Sequence, residues 1–283
     1  MKKVILFLSI ILVSIFSCSK DEEANSDAAV LPKRIVSMGE DASPEIFLSY
    51  NGNKITETSS IRNNVARKSI YTYNGDLIVK SEDFKNGVLS SLEEFQYDGS
   101  SKLKTVFFTE YGTQVYKSKR EYTTNADGTI LEVNYDFLNN AYVEDERTNT
   151  YTLANGNITK LYQKYTSVSP NPVGGTTSSL LTESTYTYEY DDKKGPAKNI
   201  IGLNQIYFDE NFCANNVTKK TSSIKETRTE NNVLFSEIVR TNVRVFTLSY
   251  ATNGYLSETK YTYETNENNV PVTKTESSQY FYE

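Results

Sequence analysis

Apolar and polar residues alternate one by one along much of this chain. Leu131, Val133, Tyr135 and Phe137 fall on one face of an extended segment, and Glu132, Asn134 and Asp136 fall on the other. Tyr186, Tyr188 and Tyr190 alternate with Thr185, Thr187 and Glu189, and Phe246, Leu248 and Tyr250 with Thr247 and Ser249. A period of two in β-branched and aromatic residues predicts half-buried strands. Between these segments stand Asn51-Gly52, Asn74-Gly75, Asn86-Gly87, Asp98-Gly99, Asp127-Gly128, Asn155-Gly156 and Asn253-Gly254. Such dipeptides tolerate the positive φ angles that tight hairpins demand. Asn63-Asn64, Asn139-Asn140, Asn231-Asn232 and Asn268-Asn269 carry a weaker form of the same signal. Almost no segment has a helical period.

An aromatic residue precedes the turn at Tyr50, Tyr73, Tyr97 and Tyr122, at intervals of 23, 24 and 25 residues. A unit of that length holds two strands and two turns, and each unit contacts mainly its neighbours. The pattern predicts an all-β fold over residues 34–283: an antiparallel meander of tandem hairpins, forming an open or gently coiled sheet. One stretch breaks the repeat. The charged turn Asp191-Asp192-Lys193-Lys194-Gly195-Pro196 leads into Ala197–Asn216, where Ile200, Ile201, Leu203, Ile206, Tyr207, Phe208 and Phe212 crowd together. This insertion, about 191–217, is too apolar for a free loop. It predicts a short helix or irregular flap that covers part of the sheet. Pro170, Pro172, Gly174 and Gly175 predict a long loop over Ser167–Ser179.

The first residues read differently. Lys2-Lys3 precede an apolar run of 13 residues, Val4 to Phe16, followed by Ser17-Cys18. The run is short of the roughly 20 residues of a membrane-spanning helix and matches a signal h-region. Ile15-Phe16-Ser17-Cys18 resembles a bacterial lipobox; Ser17 fits it, whereas Phe16 stands where a small residue is usual. Residues 1–17 are therefore expected to be a lipoprotein signal peptide, and 18–33 an acidic tether lipidated at Cys18. Two or more acyl chains anchor a protein stably. Lys20-Asp21-Glu22 resembles the export signal of Bacteroidota surface lipoproteins, a lysine and two acids just after the cysteine. The resemblance implies the outer membrane and its external face. The bland alternative is a solvated linker on a periplasmic lipoprotein.

Composition narrows the chemistry. With 30 Lys and Arg against 36 Asp and Glu, interspersed, nothing points to nucleic acid. Cys213 is the one cysteine besides Cys18, so it is expected as a buried small hydrophobe rather than half of a disulfide. The chain has no histidine, which removes Ser-His and Cys-His catalysis and histidine metal sites. No cofactor or metal is expected. It has no tryptophan but 22 tyrosines.

Tyr122…Asn125-Ala126-Asp127-Gly128-Thr129-Ile130, Tyr151…Asn155-Gly156-Asn157-Ile158 and Tyr250…Asn253-Gly254-Tyr255-Leu256 resemble the YD repeats of the Rhs family. Rhs proteins wind many such repeats into a shell. This chain has too few to enclose anything, and it more closely resembles short YD-like lipoproteins of Bacteroidota.

Candidate chemistry is sparse. Glu93-Glu94, Asp191-Asp192 and Asp209-Glu210 are adjacent acids, but neighbours on a strand point to opposite faces. A carboxylate-based hydrolase would need acids meeting from distant strands. Asn125-Ala126-Asp127-Gly128 lacks the further acids of a calcium loop. The tyrosine stripes Tyr186-Tyr188-Tyr190 and Tyr261-Tyr263 are the candidate binding surface, since tyrosine stacks on sugars and fills protein interfaces. Their structural alternative is cross-strand packing. The expected function is a non-catalytic surface module that binds a glycan or a protein. A structural or envelope-assembly subunit is the alternative.

Overall fold

The computed structural model describes residues 30–39, 45–170, 177–231, 233–267 and 270–282. The signal segment, Cys18, Lys20, Asp21 and Glu22 lie outside these residues. The strands are β1 (Pro32–Met38), β2 (Ile46–Asn51), β3 (Lys54–Arg62), β4 (Val65–Asn74), β5 (Leu77–Lys85), β6 (Val88–Tyr97), β7 (Leu103–Glu110), β8 (Tyr116–Thr124) and β9 (Ile130–Leu138). They continue as β10 (Ala141–Ala154), β11 (Asn157–Pro170), β12 (Thr177–Lys194), β13 (Asn215–Glu230), β14 (Val233–Val245), β15 (Thr247–Tyr250), β16 (Leu256–Glu267) and β17 (Val270–Tyr282). A single helical turn, α1 (Leu203–Ile206), and a 3₁₀ turn (Glu210–Phe212) lie between β12 and β13.

Every strand from β1 to β14 pairs antiparallel with the next, as the repeats predict. The sheet is not open, however. β17 pairs with β1 from Tyr282↔Pro32 to Ser277↔Met38, and the single sheet of 17 strands is nearly closed into a barrel. Strand twist brings the two ends of a long meander round to meet, and joining them removes two exposed edges. The last link is incomplete. β14 and β15 run on as one strand through Phe246, whose N–H still donates to the Thr218 carbonyl. β14 pairs with β13, while β15 pairs with β16. Among the described residues no ladder joins β14 to β16, which leaves a seam in the wall.

The turns follow local chemistry. Asn63-Asn64, Asn86-Gly87, Asn139-Asn140 and Asn155-Gly156 have positive φ at both central residues, the type I′ geometry that matches strand twist. These four pairs include two of the weaker Asn-Asn signals. The predicted loop over Ser167–Ser179 is shorter than expected, because β11 runs to Pro170 and β12 starts at Thr177.

Tyrosines at or near the ends of four strands serve a shared purpose. Tyr50 donates its hydroxyl to the Pro32 carbonyl at 2.7 Å, Tyr97 to Ile78 at 2.6 Å, Tyr190 to Ile158 at 2.7 Å and Tyr282 to Leu256 at 2.8 Å. Each bond reaches back to an earlier hairpin and lands on the first or second residue of one of its strands. Tyr73 instead donates to Ile201 of the insertion at 3.0 Å. A buried hydroxyl needs a partner, and each of these carbonyls supplies one.

The insertion fills this end of the barrel from within. Ile200, Leu203 and Ile206 pack with Leu31 of the N-terminal segment and with Ile55, Ile78, Phe95, Val106 and Tyr122, which come from β3, β5, β6, β7 and β8. Phe208 lies 5.5 Å from the Tyr122 ring and 5.0 Å from Tyr151. Asn199 donates to Val30 O and Tyr255 Oη. A short segment can touch so many strands only from the concave side. Ile55, Ile78, Val106 and Ile206 are completely buried. Each contributes about 1.5–3 kcal/mol of apolar transfer.

Candidate functional site in the barrel lumen

Cross-strand partners share a face, so the residues packed on the insertion identify the inner wall of each strand. On β9 the result reverses the simplest reading of the sequence. Glu132 is buried and faces inward, while Leu131, Val133, Tyr135 and Phe137 take the outer face. The inner wall is polar here because Glu132 has donors. Its Oε1 accepts from Asn149 Nδ2 at 2.8 Å and its Oε2 from Tyr151 Oη at 2.9 Å. Gln163 donates to Asn149 Oδ1 at 3.1 Å. Arg120 Nη2 donates to Glu93 Oε1 at 2.6 Å. Burial pushes the Glu93 carboxyl up, and the Arg120 guanidinium opposes that shift. Burial and the Glu132 charge push the Tyr151 hydroxyl well above its ordinary value. Glu94 points outward opposite Lys80, so the adjacent acids separate as the strand period requires. A cavity of about 300 Å³ lies between this network and the Ile206–Phe212 segment.

A second cavity, of about 360 Å³, lies beside the seam. Lys220 of β13, Arg244 of β14, Phe246, Tyr261 of β16, and Glu276 and Tyr280 of β17 line it. Phe246 meets Tyr261 edge-on at 5.3 Å, and the Arg244 guanidinium lies 4.9 Å from the Tyr261 ring centre. Tyr261 donates its hydroxyl to Glu276 Oε2 at 2.5 Å, and Lys220 pairs with Glu210. Asn216 also lines this cavity, and its Oδ1 is buried without a donor. The nearby Tyr250 hydroxyl goes to Asp191 instead.

The tyrosine stripes both face the lumen, not the outside. Tyr188 is buried, and Tyr190 spends its hydroxyl on Ile158 and lies 3.3 Å from Cys213 Sγ. Tyr186 packs beside them, with Lys220 Nζ 5.3 Å from its ring centre. These three serve packing. Tyr261 and Tyr263, stacked at 5.8 Å, are only half-buried, and Tyr261 lines the cavity. Cys213 is buried as expected, and burial raises its thiol pKa. Sequence reasoning passed over Lys220, Arg244 and Glu276. The signal for Arg244 was present in the alternation of Arg240, Asn242 and Arg244 with Val239, Thr241, Val243 and Val245.

The outer wall carries charge on many strands. Lys68–Glu57, Lys80–Glu82, Lys119–Glu121, Lys219–Glu189 and Lys225–Glu237 pair there. A wall so charged does not suit hydrocarbon, where each buried lysine costs about 2–4 kcal/mol at mid-depth.

No protein-family model matches the chain, nor does any curated protein sequence. Solved structures similar to it include a porin-like protein from Bacteroides uniformis, at 8% identity and a TM-score of 0.40, covering 89% of this chain and 98% of that one. Another is a porin-like protein from Bacteroides vulgatus, at 12% identity and a TM-score of 0.41, covering 89% and 99%. At TM-scores this low the likeness carries no functional argument.

Proposed function

We propose that this chain is a lipid-anchored, non-catalytic surface protein that holds a glycan in its barrel lumen. The supporting observation is the cavity beside the seam. It combines stacking faces from Tyr261 and Phe246, charged donors from Lys220 and Arg244, and acceptors from Glu276 and Asn216. Its volume of about 360 Å³ falls in the range of small-molecule sites. The unsatisfied Asn216 Oδ1 suits a ligand hydroxyl.

The anchor reading rests on the residues around Cys18. Leu31 and Val30 sit at the plugged end. A tether of 12 residues from Cys18 to Val30 reaches at most roughly 40 Å.

A glycan array followed by calorimetry tests the binding. The expected result is a glycan hit whose affinity falls at least about tenfold, 1.4 kcal/mol, in Tyr261→Ala. Folded protein that retains no glycan overturns the proposal. The anchor has its own test: Cys18→Ala should move the protein from the membrane to the soluble fraction, and unchanged fractionation refutes lipidation.

A further inference from the structure

We propose that the cavity beside the seam selects an acidic glycan, whose carboxylate docks on Arg244; the inference rests on the reading of that cavity as a glycan site. Arg120, Arg147 and Arg240 each hold a carboxylate of this chain, from Glu93, Asp145 and Glu226. Arg244 lines the cavity and has no carboxylate partner among the described residues. Its guanidinium lies 4.9 Å from the Tyr261 ring centre instead.

Cross-strand pairing sharpens the contrast. Lys220 of β13 stands directly opposite Arg244 of β14, so two cations share one face of the wall. Like charges in that position destabilise a sheet unless something neutralises them. Glu210 neutralises Lys220. The other carboxylate of the cavity, Glu276, accepts the Tyr261 hydroxyl and forms no ion pair with Arg244. Arg244 is therefore the cation left over, with its guanidinium N–H groups unbonded among the described residues. A ligand carboxylate supplies the missing acid, because the planar guanidinium fork matches its two oxygens. Tyr261 and Phe246, 5.3 Å apart, offer aromatic contact to a sugar ring beside that charge. A uronic acid joins the ring and the carboxylate in one unit. A neutral sugar leaves Arg244 without a counter-charge, and a sulfate ester lacks the planar pair of oxygens.

The test is calorimetry on the full-length protein in detergent. The probes are oligomers of galacturonate, glucuronate and mannuronate, each beside its carboxyl-reduced counterpart, with dextran sulfate as the sulfated control. Reduction changes only the carboxylate, to a neutral hydroxymethyl group. At least one acid form should bind at least about tenfold tighter than its reduced counterpart. Arg244→Gln should bring the acid form down to the affinity of the reduced one. The comparison of acid with reduced form on the wild-type protein decides the matter even without that variant. Wild-type protein that binds only the reduced or only the sulfated sugars overturns this inference and leaves the glycan reading standing. So does an acid preference that Arg244→Gln leaves intact. Folded protein that binds none of these sugars overturns this inference, and the glycan reading falls with it only if the array is blank too.

Discussion

The two ends of this barrel are made from the same hairpins, yet only one is packed. At the plugged end, Tyr50, Tyr97, Tyr190 and Tyr282 tie each hairpin to an earlier strand, and Ile55, Ile78 and Val106 close on the insertion. At the far end, the turns at Asn63-Asn64 and Asn86-Gly87 have equally regular geometry. There Ile61 is 68% exposed, Val88 70% and Leu138 53%. The difference lies in what precedes the turn. A tyrosine stands before the plugged-end turns, and the residue after the turn is an inward aliphatic. At the far end Val65 and Val88 follow their turns, but no tyrosine precedes those turns. Good turn chemistry sets register; the tyrosine and the insertion create the core.

Substitutions at the two ends should differ most. Ile78→Ala should cost about 2–5 kcal/mol in urea unfolding, and Val88→Ala, on the inner face at the far end, no more than about 0.5 kcal/mol. Similar costs would show that the far end is as well packed. Next in size is Tyr151→Phe, which removes a donor from buried Glu132 and should cost about 1–3 kcal/mol by the same measurement. A neutral result would mean that the Asn149 and Asn134 amides satisfy that carboxylate.

The alkaline response is smaller and sharpens the comparison. Burial pushes the hydroxyls of Tyr71, Tyr73 and Tyr97 up to about 12, against an ordinary value of 10. The folded state therefore keeps protons that the unfolded state releases. Their contribution is full below about pH 10 and is lost as pH rises through 12. Tyrosinate absorbance should show a group of tyrosines that ionise only as the chain unfolds. Smooth titration of all tyrosines near pH 10 would contradict the packed end.

Much of this was legible in the sequence. The Tyr50–Tyr122 spacing and the Asn-Gly turns announce the hairpins, and the crowded Ile200–Phe212 stretch announces a covering segment. Closure was not legible, because pairing of β1 with β17 joins Ile35 to Tyr280, residues that no local pattern connects. Face assignment failed on β9 for a related reason. Alternation says which residues share a face but not which face is inner, and Glu132 is inner only because Tyr151 and Asn149 arrive from β10. Proline and glycine content overstated the loop after Ser167, since β12 supplies partners for β11 up to Pro170. The lumen cavity needed β13, β14, β16 and β17 together, and its charged residues looked like ordinary solvated ones.

Amide hydrogen exchange tests the central contrast most directly. The account predicts the slowest exchange in β3, β5 and β7 around Ile55, Ile78 and Val106. In β14 it predicts alternation, with amides bonded to β13 protected and those on the free edge exchanging almost at once. Uniform protection along β14, equal to that around Ile78, would contradict it.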